Sequence, residues 1–223
     1  MGDNASTNNA LCRLIQKELK DILGLTWEAN HWCIRCLGHI INLIVQAFLF
    51  TGVVDLDNLE SYDEQEGIGA FDMTEAIRVQ FRLMGPLGQA HNIVVHIRGS
   101  AGRTEEFRTY AGRMIPMDNR TRWNSWYQML IILLNLRPAV EKYCQDHEEE
   151  LEEDILTSKD WKKLRTIKEF LAPFARATLA AEGDSTSLDS TLFIMDILIK
   201  HLQEENISPF SLLYNLANSY IIG

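Results

Sequence analysis

A chain of 223 residues that is 46% hydrophobic can bury a sizeable core, so one large globular domain or two small ones is expected. Four cysteines, Cys12, Cys33, Cys36 and Cys144, are too few and too unevenly spread for a secreted disulfide scaffold, and no secretory signal is visible. An intracellular, reducing compartment is the expectation. The formal net charge of −10 disfavours nucleic acid as a partner only until its distribution is read.

Helix signals dominate in chain order. Asp3 to Ser6 offers N-capping groups, Leu11, Leu14, Ile15, Leu19, Ile22 and Leu23 share one helical face, and Gly24 stands where a helix stops. His31 to Arg35 reads as a short strand. The following stretch LGHIINLIVQAFLF, Leu37 to Phe50, is too short to span a bilayer and carries His39, Asn42 and Gln46, so it reads as a buried helix. Residues 52–72, around LDNLESYDEQEGIG, form an acidic loop that Gly67 and Gly69 keep out of helix. Helical spacing resumes near Met73, and Gly85-Pro86 kinks or ends that segment. Further helices are expected at 103–111, 121–146, 159–181, 189–204 and 208–220, with Pro138, Pro173 and Pro209 as breaks or first-turn residues. No repeat of fixed period is present.

Much of the acidity sits in residues 55–75 and 146–154. Between Arg78 and Arg122 the balance reverses: Arg78, Arg82, Arg98, Arg103, Arg108, Arg113, Arg120 and Arg122 face only Glu105, Glu106 and Asp118. Such a segment can contact phosphate, or it can be an ordinary solvated surface.

Three short motifs could carry chemistry. Asp3, in DNAS, is either a helix cap or a carboxylate that could hold a divalent cation, and one Asp cannot build a two-metal site alone. HWCIRCLGH brings His31, Cys33, Cys36 and His39 together like a compressed zinc cluster. All four lie within nine residues, which strains tetrahedral ligation and favours buried thiols with a hydrogen-bonded histidine. In DNRTRWNSWYQMLIILLNLRPAV, Asn119 or Thr121 can cap a helix whose core stripe is Trp126, Met129, Leu130, Leu133 and Leu134. Arg122 and Trp123, at the helix entrance, are harder to assign to that stripe. They could hold a phosphate and stack on an unpaired base, or Trp123 could be a buried anchor.

DNASTNN, RCLGHIINLIVQ, RGSAGRTEEF, MDNRTRWNSWYQMLIILLNLRPAVEKY and DWKKLRTIKEFLAPFARATLAAEGDSTSLDSTLF, in this order and spacing, resemble the middle of hAT-superfamily DNA transposases. The resemblance covers nearly the whole chain. It implies a mainly α fold: a helical insertion domain, residues 37–223, attached to a remnant of a ribonuclease H-like α/β core, residues 1–36. It also implies that Asp3 is the second of three metal-binding acids. Cys36 and His39 match the family's Cys-x-x-His element, and Arg122 with Trp123 its Arg-Trp motif at the distorted DNA end. Arg98 and Arg103 join these as expected DNA contacts.

The complete enzyme would use Mg2+ or Mn2+ for phosphoryl transfer at transposon ends in the nucleus. Only two residues precede Asp3, and the chain stops at SLLYNLANSYIIG, before a late glutamate would be expected. Two of three catalytic acids are thus expected to be missing, so the chain alone should hold no metal and not cut DNA. The reading is a fragment or domesticated relic of a transposase with residual DNA binding. Two alternatives stand beside it: a helical protein-interaction domain without DNA function, and an active transposase shortened by its gene prediction.

Overall fold

The computed structural model describes residues 6–28, 36–50, 75–119, 122–182 and 187–205. Asp3, the expected strand at 31–35 with His31 and Cys33, the acidic loop 52–72 and the expected helix 208–220 lie outside the described residues. Every helix or strand among the described residues is helical, and the expected mainly α fold is what they form. An isolated bridge pairs Asn119 with Arg122.

The elements are α1 (Ser6–Leu23), α2 (Leu37–Leu49), α3 (Glu75–Arg82), α4 (Pro86–Arg98), α5 (Ala101–Ala111), α6 (Trp123–Asn135), α7 (Arg137–Asp146) and α8 (Glu148–Leu151). A 3-10 turn (Glu152–Asp154), α9 (Ser158–Ala181) and α10 (Leu188–Glu204) follow. They form two compact units: residues 1–44 with 176–223, and residues 45–175. The division passes within α2 and within α9.

In the larger unit α4 is the central element, packed against α3, α5, α6 and the 3-10 turn. Its sequence, PLGQAHNIVVHIR, explains why. Pro86 supplies a fixed φ at the first helical position, where an N–H is not needed, and nine of the thirteen residues are buried, which a one-sided stripe would not give. Gly85, at φ 65°, makes the left-handed turn that ends α3, so Gly85-Pro86 both stops one helix and starts the next.

Burying α4 on all sides forces its polar members to find partners. His91 clusters with the rings of Phe81, 3.8 Å away, and Trp126, 5.3 Å away, and its Nδ1 meets both carboxylate oxygens of buried Asp118 at 2.8 Å. Asn92 donates from Nδ2 to Asp154 Oδ1 at 2.8 Å and to the Arg78 carbonyl at 3.0 Å.

Asp154 is fully buried and collects three elements. Arg82 donates side-on, Nε to Oδ1 and Nη2 to Oδ2, both at 2.9 Å, Arg78 donates to Oδ2, and Asn92 completes the set. Burial alone would raise this carboxyl, but hydrogen bonds from Arg82, Asn92 and Arg78 outweigh it and hold it below the ordinary carboxylate range. A depressed folded value means stability that is present above the unfolded pKa near 3.8 and lost as pH falls through the folded value. Urea midpoints followed from about pH 6 to about pH 2 should therefore fall steeply at the acid end. Asp154→Asn should flatten that limb; an unchanged limb would place the acid sensitivity elsewhere.

Two helix expectations need correction. The stretch 121–146 is not one helix: the chain turns at Leu136, φ −99° and ψ 16°, because Pro138 in the first turn of α7 lacks an N–H and its ring clashes with the preceding turn. Pro173, by contrast, breaks nothing. Helix α9 runs through it, and Phe170, Leu171, Phe174 and Ala177 are buried on both sides of the lost hydrogen bond.

In the smaller unit α1 forms as expected, but its apolar stripe is no core: Leu11, Leu14, Ile22 and Leu23 are 52–71% exposed. Helix α10 starts with a reciprocal Ser187–Ser190 capping box and buries Thr191, Leu198 and Leu202. Cys36 and Cys144 are free thiols, and burial pushes the Cys144 thiol up to about 12. Cys12 is disulfide-bonded, so the four cysteines are not uniformly reduced.

Candidate nucleic-acid interface

The expected DNA contacts divide between the two units. Cys36 and His39 stand at the start of α2 in the smaller unit, both half-buried, with the Cys36 carbonyl accepting from Ile40 N–H at 3.1 Å. Arg98, Arg103, Arg122 and Trp123 belong to the larger unit.

Helix α6 begins differently from expectation. Asn119 is not its N-cap, and Thr121 lies outside the described residues; Arg122 holds the cap position, in extended conformation and without a side-chain cap bond. Ser125, three residues on, closes the loop instead: its Oγ accepts from Asn119 N–H at 2.6 Å and lies 2.7 Å from the Arg122 carbonyl. This leaves Arg122 exposed and turns Trp123 inward. The indole is 2% exposed, beside Tyr127 at 5.9 Å, and joins Trp126, Leu130 and Leu133 in the core stripe. So placed, Trp123 presents no face on which a base could stack.

The arginine-rich segment sorts into two sets. Arg78 and Arg82 are committed to Asp154, with Arg82 also reaching Glu75 and Glu153. The second acidic stretch thus internalises part of the positive charge that the sequence assigns to the surface. Arg103 is half-buried, and its charge bears on His96 and Tyr143.

Arg108 and Arg113 are exposed, and Arg98 is half-buried. Arg98 and Arg108 line a groove of about 360 Å3 with Ser100, Ala101, Thr104, Glu105 and Met114. The groove opens at the first turn of α5, capped by Ser100 Oγ, which accepts from Arg103 N–H at 3.2 Å. One guanidinium nitrogen of Arg98 donates to the Ile115 carbonyl at 3.1 Å, which fixes the side chain beside that turn. A helix N-terminus beside the Arg98 guanidinium, with Arg108 lining the same groove from the last turn of α5, suits a phosphate, although Glu105, bonded to Arg108 at 2.8 Å, offsets part of the charge. Arg113 is exposed, next in sequence to the groove residue Met114.

The residues that sequence reasoning missed are the partners of the arginines. Asp154 was one acid in a run of seven, and only the closing of the 3-10 turn on α3 and α4 distinguishes it. Ser100, in RGSAGRTEEF, carried a readable signal: a serine at the N-cap position before a helix.

Residues 34–170 of the chain match the ZBED1 RNase-like helical domain. The chain belongs to that family. The curated protein named "Putative transcriptional regulator tpeD", from Talaromyces stipitatus, is 24% identical over 209 residues, which cover 91% of this chain and 24% of that protein. The chain thus spans about a quarter of that relative's length. No solved structure matches. No helix among the described residues is long and apolar enough to cross a membrane.

Proposed function

We propose that the chain is the helical part of an hAT transposase-derived nuclear protein, which holds DNA by its phosphate backbone and does not cut it. The observation that carries this reading is the groove along α5, lined by Arg98 beside the helix N-terminus and by Arg108 from the last turn. Membership of the helical domain family and the regulator-named relative give it context.

Absence of cutting rests on ligand chemistry. By resemblance Asp3 is the one family acid in the chain, and a two-metal site needs several carboxylates. Asp118 and Asp154, the buried carboxylates among the described residues, are satisfied by His91 and by Arg78, Arg82 and Asn92, so neither is available as a substitute. The described residues thus offer no free buried carboxylate to complete a Mg2+ or Mn2+ site for this reaction.

The test is a gel-shift series at low salt with blunt duplex and flanked hairpin. Arg98→Ala and Arg108→Ala should each weaken binding several-fold and make the log–log salt dependence shallower by about 0.9 per lost contact. Hairpin and duplex should bind alike, since no base is read. Unchanged affinity in both variants rejects the groove; a strong hairpin preference lost in Trp123→Ala restores the stacking role.

A second reading, docking of a protein partner, has one specific support: α10 exposes Leu188, Leu192, Phe193 and Ile197 at 45–67%. Failure to bind any DNA at low salt would favour it.

A further inference from the structure

Away from the groove, the C-terminal end of α4 meets the corner between α7 and α8 through two imidazoles that converge on one carboxylate oxygen. His96 Nε2 lies 2.9 Å from Glu150 Oε2, and His147 Nδ1 lies 3.0 Å from the same oxygen. The three ligand atoms fall within 4.8 Å of one another. Each histidine is held from behind. His96 Nδ1 is 3.0 Å from Tyr143 Oη, and His147 Nε2 is 3.0 Å from Glu106 Oε2.

We propose that His96, His147 and Glu150 form a zinc site that clamps α4 to the α7–α8 corner. The donor set decides the metal: two neutral imidazole nitrogens and one carboxylate oxygen suit Zn2+, whereas Mg2+ and Ca2+ prefer oxygen ligands throughout. Tetrahedral ligands at ordinary zinc distances stand about 3.3 Å apart, so the 2.9 and 3.0 Å separations must open slightly while the two imidazole nitrogens, within 4.8 Å of each other, close on the metal. The fourth position falls to water, which can enter beside Glu150, whose side chain is 57% exposed.

The outer partners fit the same role. With Nε2 of His96 on the metal, Nδ1–H donates to the Tyr143 oxygen. With Nδ1 of His147 on the metal, Nε2–H donates to the Glu106 carboxylate, which fixes the ring and raises its basicity. Burial and the nearby Arg103 charge push His96 down to about 4, so its imidazole is neutral near pH 7. His147 behaves oppositely: burial opposes its charge, but the Glu106 and Glu150 carboxylates outweigh it and raise its pKa. In the metal-free protein both His147 nitrogens stand within hydrogen-bond reach of a carboxylate, Nδ1 of Glu150 and Nε2 of Glu106. Zinc needs Nδ1 without a proton, so any proton there leaves to solvent and affinity should rise with pH. Arg103 works against a bound cation, and Glu106 and Glu150 supply the compensating negative charge.

Zn2+, Co2+ and Mg2+ should be titrated into the full chain, with binding read by calorimetry, melting temperature and, for Co2+, visible absorption. One equivalent of Zn2+ or Co2+ is expected to bind and raise the melting temperature progressively with metal concentration. Mg2+ should do neither. The Co2+ spectrum should show four-coordinate bands without thiolate charge transfer, which separates this site from the cysteines. Glu150→Gln, at an exposed position, should lower affinity at least tenfold while retaining the parent circular dichroism, and Glu106→Gln should lower it about tenfold without touching the metal. No metal-dependent shift, a thiolate signature, or the parent's affinity retained in both variants would overturn the site.

Discussion

Asp154→Ala is expected to lower the stability of the larger unit by about 3–5 kcal/mol, the largest loss from any single side chain here. The carboxylate is fully buried and stands between two arginines whose side chains are only 16–17% exposed. Removing it leaves Arg78 and Arg82 with only the exposed Glu75 and Glu153 as counter-charges, strips Asn92 of one of its two acceptors, and releases the 3-10 turn from α3 and α4. The effect has a control. Arg78→Met with Asp154→Leu, which removes both signs, should cost less than Asp154→Ala alone, since an unpaired buried charge dominates the single-variant loss. Urea unfolding followed by tryptophan fluorescence measures this, because Trp123, Trp126 and Trp161 are all buried in this unit. A loss below about 1 kcal/mol for Asp154→Ala would mean that the arginines find water when the acid is gone.

Gly88→Ala should be nearly as damaging for a steric reason. A Cβ at residue 88 would stand 1.7 Å from the Phe81 carbonyl oxygen and 2.4 Å from its carbon, inside the backbone of α3. No rotamer relieves a clash with backbone, so α3 and α4 must separate. With them goes the packing of Phe81 on His91, for a loss of about 3 kcal/mol or more. A thermal melt compares the variant with Gly102→Ala, where only the Ser100 hydroxyl approaches, at 4.0 Å. Gly102→Ala should be neutral or slightly stabilising, as alanine is the better helix former. Equal melting temperatures for the two variants would contradict the close crossing.

Local signals in the sequence reach a defined distance into this molecule. Helix positions in α1, α2, α5, α9 and α10 follow from apolar spacing and punctuation, because the period of 3.6 residues is a local property. Pro138 and Pro173 show where local reasoning stops. The same residue type ends one helix and is carried through another, and the difference is the buried packing around Pro173, contributed by residues that only the folded helix brings to one side. Charge was the least legible quantity. Arg78 and Asp154 are 76 residues apart in sequence, and nothing in either neighbourhood announces that they neutralise each other. Trp123 was set apart from the core stripe because it opens α6, yet residues 123, 126, 130 and 133 fall on one face, and the inward turn is fixed by Ser125 rather than by the anticipated caps. Ser100 and Arg98, by contrast, sit two residues apart around a helix start, and that part of the groove was readable.

Despite a net charge of −10, the chain lines one groove with Arg98 and Arg108, the proposed phosphate contact. The direct measurement is the affinity of the full chain for a short blunt duplex across a series of salt concentrations in the presence of Mg2+. Contacts by Arg98, Arg108 and Arg113 predict a log–log slope of about −2 to −3, with the duplex left uncut. A slope near zero, or no binding at the lowest salt, would contradict the phosphate contact, and nicking of the duplex would contradict the absence of catalysis.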